Sequence, residues 1–147
     1  MIATVQDIIR RKGNEVVTVL QDVPVYQALG LMKEKGIGAL IVTDNAGKAV
    51  GIFSDRDCTQ KIILEEKSAK TTPVAKIMTR DLIWATPDKT AEECLTVMLE
   101  ERVRHLPVFD GDKMAGLVSI GDAVKSIVKK QRVEIKHLNN YIAGNYV

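Results

Sequence analysis

The chain has 147 residues, is 46% hydrophobic and 27% charged, and carries 21 Lys and Arg against 19 Asp and Glu. That apolar content excludes a disordered chain, and a formal net charge of +2 gives no general electrostatic reason to bind nucleic acid or a membrane. No apolar run approaches the roughly 18 residues of a spanning helix, and Met1 to Lys12 holds acidic Asp7 without the long apolar core of a signal peptide; the expectation is a soluble, cytoplasmic protein.

In chain order, Val5 to Ile9 reads as a short lead-in helix and Val16 to Leu20 as an extended piece. Val25, Leu29 and Met32, at i, i+4 and i+7, give the next segment one apolar helical face. Ala39 to Val42 and Val50 to Phe53 flank the turn chemistry of Asn45-Ala46-Gly47 and read as a hairpin, with a second helix from about Asp57. Leu64 to Pro73 is polar and reads as an ordered crossover loop. The pattern then recurs: lead-in Val74 to Met78, extended Leu82 to Ala85, a helix with Ala91, Cys94, Leu95 and Met98 on one face, strands at Leu106 to Phe109 and Ala115 to Val118, and a helix from Asp122 striped by Val124, Ile127 and Val128. Beyond Lys130, Val133, Ile135, Leu138 and Ile142 continue a roughly helical pattern that serves either as core or as a dimer contact.

The recurrence is a true repeat. Shifted by 66 positions, Asp22 falls on Asp88, Leu29 on Leu95, Met32 on Met98, Leu40 on Leu106 and Val42 on Val108. After one deletion in the hairpin turn, where residues are lost at least cost, the shift is 65, and Gly51 falls on Gly116, Ser54 on Ser119 and Asp57 on Asp122. The predicted fold class is α/β (α+β), two β-α-β-β-α repeats packed against each other. The boundaries predicted are a first repeat with its lead-in helix at residues 1–66, a linker at 67–73, a second repeat at 74–130 and a helical tail at 131–147. Cys58 and Cys94 fall on helices with no C-x-x-C and no neighbouring His, which reads as small buried hydrophobes rather than a zinc site or disulfide. Met32, Met78, Met98 and Met114 suit core positions, and so does Trp84, although its ring could also stack on a flat ligand.

The clearest local signal is Gly51-Ile52-Phe53-Ser54-Asp55-Arg56-Asp57, repeated as Gly116-Leu117-Val118-Ser119-Ile120-Gly121-Asp122. Ser-x-x-Asp at a helix start is a capping box, in which the hydroxyl takes one backbone amide and the carboxylate another. The same groups could instead receive a ligand, since a helix N-terminus favours a phosphate and a nearby carboxylate can grip a ribose diol. Spacing alone leaves both roles open.

This motif, closing a tandem β-α-β-β-α repeat, resembles a pair of CBS domains, the Bateman module. The resemblance covers essentially the whole chain, and Val103-Arg104-His105-Leu106-Pro107-Val108 and Tyr141-Ile142-Ala143-Gly144 are similar to small stand-alone bacterial members. It implies two repeats packed through their sheets about a pseudo-twofold axis, two clefts that hold adenosine compounds such as AMP, ATP, NAD or S-adenosylmethionine, and a homodimer. Carried over residue by residue, each cleft would join the Ser-x-x-Asp of one repeat to the strand beginnings of the other, and one would use Ser54, Arg56 and Asp57 with Thr79, Ile83, Val103 and Arg104, and His105 beside them. The other would use Leu117, Ser119 and Asp122 with Lys12, Val17, Ile37 and Gly38. Arg56 is matched by Gly121, and Arg104 and His105 by Gly38 and Ala39, so the two clefts should differ in affinity or in ligand.

No P-loop and no Gly-x-Gly-x-x-Gly opens a helix, and no local motif suggests a catalytic triad or metal site. The function expected is a non-enzymatic regulatory sensor of adenine nucleotide, without catalytic cofactor, acting on another protein or on its own dimer. The alternative is a ligand-free dimerisation scaffold whose Ser-x-x-Asp boxes only cap helices. Arg10-Arg11-Lys12 and Lys129-Lys130 are too short to favour nucleic-acid binding.

Overall fold

A computed structural model describes residues 2–144; the last three tail residues, 145–147, and Met1 lie outside the described residues. The elements are α1 (Val5–Lys12), β1 (Thr18–Leu20), α2 (Val25–Lys35), β2 (Ala39–Thr43), β3 (Ala49–Ser54), α3 (Asp55–Cys58), α4 (Ala91–Glu101), β4 (His105–Asp110), β5 (Lys113–Ser119) and α5 (Ile120–Ile142). One wide helical turn, Thr59–Ile63, extends α3, and one tight turn, Val74–Lys76, stands where the second lead-in helix is expected. Two compact units form, one from Val16 to Ile83 and the other from the segment up to Glu15 together with everything from Trp84 on.

These units differ from the sequence copies in one respect: each lead-in segment packs with the other copy's body. Val74 donates its amide to Val23 and Ala75 to Gln21, while Val5 donates to Lys89 and Gln6 to Pro87, the positions 66 residues later. Val5, Ile8, Val74 and Ile77 are all fully buried as a result. The glycines of the repeated motif are explained by the same docking. A Cβ on Gly51 would lie 2.5 Å from the Met78 sulfur and 2.9 Å from the Thr79 carbonyl, and one on Gly116 would lie 3.0 Å from Ile9. Only a bare backbone lets the lead-in side chain lie on the strand.

In the first unit β1 pairs in parallel with β2, and β2 pairs antiparallel with β3 in the register Ala39↔Ser54 and Ile41↔Ile52. Val25, Ala28 and Met32 of α2 pack with Leu40, Val42 and Phe53 of the sheet, and Cys58, Ile62 and Met78 complete that core. Each such large side chain contributes roughly 1.5–3 kcal/mol when removed from water. In the second unit β4 and β5 form the corresponding hairpin, His105↔Ser119 through Asp110↔Lys113. The extended piece expected at Leu82 to Ala85 is reduced to a single parallel bridge, Ala85↔Val108. Its cause is Pro107. In the first unit Ile41 donates its amide to Val17, but the matching Pro107 has no N–H, so the ladder cannot extend.

Two further expectations are corrected. The expected helical tail itself is present, as the distal part of α5, which runs unbroken for 23 residues through Lys130. Its buried face carries Ala123 and Ser126, and of the expected stripe Ile127 is half-buried whereas Val124 and Val128 are exposed, so the core face is rotated from the one expected. Trp84 is not core: its side chain is 55% exposed and meets Phe109 edge-on at 6.0 Å. Met32, Met78 and Met98 are buried and Met114 half-buried; both cysteines are buried and free.

Gly51→Ala should therefore destabilise the fold by about 1–3 kcal/mol, the usual cost of forcing an extra carbon into a packed site. Gly116→Ala should cost less, since Ile9 offers only a flexible side chain. Thermal or urea unfolding of the two variants would measure the difference.

Candidate functional site

Each unit carries one strand-to-helix edge, and the residues assigned to either cleft are divided between the units: Val103, Arg104 and His105 lie in the unit of Ser119 and Asp122, and Val17, Ile37 and Gly38 in that of Ser54 and Asp57. In the first, β3 ends on Ser54 in extended conformation and α3 starts at Asp55. The Asp57 amide donates to Ser54 Oγ at 3.4 Å, and the Ser54 amide donates to Asp57 Oδ2 at 3.0 Å. Asp55 donates its amide to Gly38, and Ile52 exchanges two backbone bonds of 2.9 Å with Thr79. Gly38, Ser54, Asp57 and Thr79 are thus collected at one edge. Arg56 is exposed beside them, Val17, Ile37 and Ile83 are half-buried in the same unit, and Asp57 is buried.

The second edge is built the same way at the end of β5. The Asp122 amide donates to Ser119 Oγ at 3.1 Å, the Ser119 amide donates to Asp122 Oδ2 at 2.9 Å, and Ile120 donates its amide to the Arg104 carbonyl. His105 faces Ser119 across the hairpin. Lys12, brought in by the lead-in helix α1, donates from Nζ to Asp122 Oδ2 at 2.6 Å and to the Leu117 carbonyl at 2.9 Å. Val103, Arg104, His105, Leu117, Ser119, Asp122 and Lys12 therefore all belong to this unit. Both capping boxes expected from the sequence are closed.

Lys61 is a site residue that sequence reasoning missed. Its Nζ lies 3.2 Å from Asp57 Oδ1 and donates to the Ile77 carbonyl at 2.9 Å, a near copy of what Lys12 does at Asp122. The signal was present, since Lys61 stands four residues after Asp57 on a helical start, the spacing that places an acid and a base on one face. Each motif carboxylate thus has one lysine and one backbone amide. Burial pushes the Asp122 carboxyl up, but the hydrogen bond from Lys12 and the Ser119 amide outweigh it and hold the group below its ordinary 3.8. A carboxylate so held still has lone pairs to offer a ligand hydroxyl, and Lys12, Lys61, Arg56 and Arg104 place cations at the two edges. The chemistry suits a ligand bearing both a diol and an anion.

Among the described residues no helix is long and apolar enough to cross a membrane, and no group of three potential metal ligands comes together.

The family model of the CBS domain matches the chain twice, over residues 4–64 and 74–129. A curated relative, the mitochondrial CBS domain-containing protein CBSX3 of Arabidopsis thaliana, is 36% identical over 151 residues, covering 97% of this chain and 73% of its own length. A solved structure from Burkholderia ambifaria, described as a putative signal-transduction protein with CBS domains, is 43% identical with a TM-score of 0.83, covering 88% of this chain and 96% of that one. The CBS domain pair of protein MJ0100, solved with 5′-methylthioadenosine and S-adenosyl-L-methionine, shares the fold at 24% identity and a TM-score of 0.77, covering 88% of this chain and 99% of that one.

Because folding lowers the Asp122 pKa, the stabilisation from its Lys12 and Ser119 bonds is complete above the ordinary value of 3.8 and is lost as pH falls through the lower folded value. Urea midpoints measured from about pH 7 to about pH 2 should show the advantage of the parent over Asp122→Asn shrinking only below about pH 4. Ser54→Ala and Ser119→Ala should each cost about 0.5–2 kcal/mol of stability through loss of the cap.

Proposed function

The chain belongs to the CBS domain family as a tandem pair, and from that premise we propose that it is a regulatory module which binds an adenosine compound at its two Ser-x-x-Asp edges. The observation that carries the reading is the doubled constellation of a buried-edge carboxylate, a hydroxyl and a lysine, Asp57 with Ser54 and Lys61, and Asp122 with Ser119 and Lys12. Asp57 and Asp122 would accept from the ribose hydroxyls, and Ser54, Ser119 and the cations Arg56, Lys12 and Arg104 would face the phosphate. Thr79, Ile83, Val17, Ile37, Gly38, Val103, His105 and Leu117 would line the base and sugar. AMP, ATP or NAD is the ligand class proposed, without a catalytic cofactor. The role is signalling in the cytoplasm, where two buried thiols stay reduced.

Regulation follows from differential affinity: a ligand shifts a module between two arrangements only by binding one of them more tightly. The output passes to a partner protein in trans or through the module's own dimer. A specific observation favours the rival, a ligand-free scaffold, because Ser54, Asp57, Ser119 and Asp122 already satisfy one another as helix caps.

Calorimetry separates the two. A binder should take up AMP, ATP or NAD, and Asp57→Ala and Asp122→Ala should each weaken it by about 1.5–3 kcal/mol for the charged hydrogen bonds removed. Absence of binding by the parent, or unchanged binding in both variants, would leave only the scaffold.

A further inference from the structure

Each Ser-x-x-Asp edge is tied to a docked lead-in segment by one lysine, and the two ties are built from opposite sides. At the second edge the lysine belongs to the lead-in. Lys12, the last residue of α1, donates from Nζ to Asp122 Oδ2 at 2.6 Å and to the Leu117 carbonyl of β5 at 2.9 Å. At the first edge the lysine belongs to the body. Lys61, on the turn that extends α3, lies 3.2 Å from Asp57 Oδ1 and donates to the carbonyl of Ile77 in the lead-in segment at 2.9 Å.

The two lysines are not equivalent positions. With Val5 set on Val74, Lys12 falls on Asp81; with Asp57 set on Asp122, Lys61 falls on Ser126. The link from motif carboxylate to lead-in is therefore no by-product of the repeat, since a different residue makes it in each unit.

The linked segments are short. α1 donates the amides of Val5 and Gln6 to Lys89 and Pro87, and the second lead-in donates those of Val74 and Ala75 to Val23 and Gln21. Segments of this kind open without unfolding of the whole domain. An ammonium has three N–H groups and each lysine uses two of them on its own unit, which leaves one for an anion. The side chains are 41% exposed at Lys12 and 35% at Lys61, so an anion from solution reaches both. It meets the complete arrangement only while the lead-in is docked. If α1 lifts off, Lys12 leaves the Asp122 edge with it; if the second lead-in lifts off, Lys61 loses the Ile77 carbonyl that holds it in place.

We propose that Lys12 and Lys61 are latches through which an anionic ligand at a Ser-x-x-Asp edge locks the adjacent lead-in segment onto its unit. The latches hold without ligand; their tightening rests on the reading of the edges as nucleotide sites, with the phosphate taking the third N–H. Linkage makes the effect reciprocal, so a docked lead-in also strengthens ligand binding. The locked segments lie just before the two points at which the chain passes from one unit to the other, Glu15 to Val16 and Ile83 to Trp84. Ligand occupancy is thus recorded in the joints of the molecule.

Amide hydrogen exchange of the full chain, followed by NMR, tests both halves, with the β4–β5 amides as the reference for global opening. Without ligand, Lys12→Met should speed exchange at Val5 and Gln6 about three- to thirtyfold, the range between a solvent-screened pair and a charged hydrogen bond, and leave Val74 and Ala75 unchanged. Lys61→Met should do the converse, and Lys12→Arg should restore most of the protection of α1. AMP, at about a hundred times the dissociation constant that calorimetry gives for each protein, should slow Val5 and Gln6 in the parent by up to about a hundredfold, the limit for a ligand that binds only the docked form. The slowing should exceed that of the hairpin and be lost in Lys12→Met. Lead-in exchange indifferent to either lysine, or both lead-ins loosened alike by each variant, would overturn the latches. AMP that binds without slowing the lead-ins, or that speeds them, would overturn the locking alone. Failure of AMP to bind, with each variant still loosening its own lead-in, would overturn the nucleotide reading and the locking together and leave the latches standing.

Discussion

Docking of the two lead-in segments is the constraint on which the rest of the structure depends. Each repeat body leaves one end of its helix-facing core open, and a short segment closes it by donating two backbone amides to the loop before the long helix. The donors come from the other copy's sequence neighbourhood, so the second unit is complete only when α1 returns from the start of the chain. A repeat body of this size is marginal alone, and the exchange ties the stability of one copy's body to the other's lead-in. It also equips the sites. Lys12 reaches Asp122 only because α1 docks there, and Thr79 joins the Ser54 edge only because the segment ending in Met78 lies on Gly51.

Much of this was legible in the residues. Short apolar runs around Asn45-Ala46-Gly47 and around the matching turn of the second copy became the two hairpins, and the apolar spacing of Val25 and Met32 and of Ala91, Cys94 and Met98 became the buried faces of α2 and α4. The capping boxes were readable because their three-residue spacing is local. The exchange of lead-in segments was not, since a sequence repeat shows which residues correspond and says nothing of which body each packs on. Its trace was the pair of glycines, whose need for a bare backbone becomes visible only once Met78 and Ile9 are seen above them.

The misplaced features have specific causes. No Gly or Pro lies between Asp122 and Ile142, so the helical patterns read on either side of Lys130 run on as one helix. Val124 and Val128 were assigned to the core by hydrophobicity, whereas the tight approach of α5 to its unit selects the small Ala123 and Ser126. Pro107 shortened a strand whose hydrophobic pattern was otherwise adequate, because the ladder needs a donor and the pattern registers only burial. Trp84 then stands beside a single bridge rather than inside a strand ladder, and its ring is left half outside.

The capping boxes and the ligand role compete less than their shared residues suggest. At each edge the backbone amide of the serine uses one oxygen of the aspartate, Oδ2, and this fixes the plane of the carboxylate. A fixed acceptor costs less to engage than a mobile one, because its side-chain entropy has already been lost in folding. The lysines distinguish the two edges. Lys61 holds Asp57 through the opposite oxygen, Oδ1, from four residues along the same helical start, whereas Lys12 shares Oδ2 with the cap and comes from a different segment. A ligand approaching Asp57 meets an oxygen already paired with a cation on its own helix; one approaching Asp122 meets Oδ1 beside a cation anchored on α1. The uneven placement of Arg56 and Arg104 is thus joined by a second asymmetry, in how each carboxylate is held, so a ligand of the proposed class would meet two unlike edges.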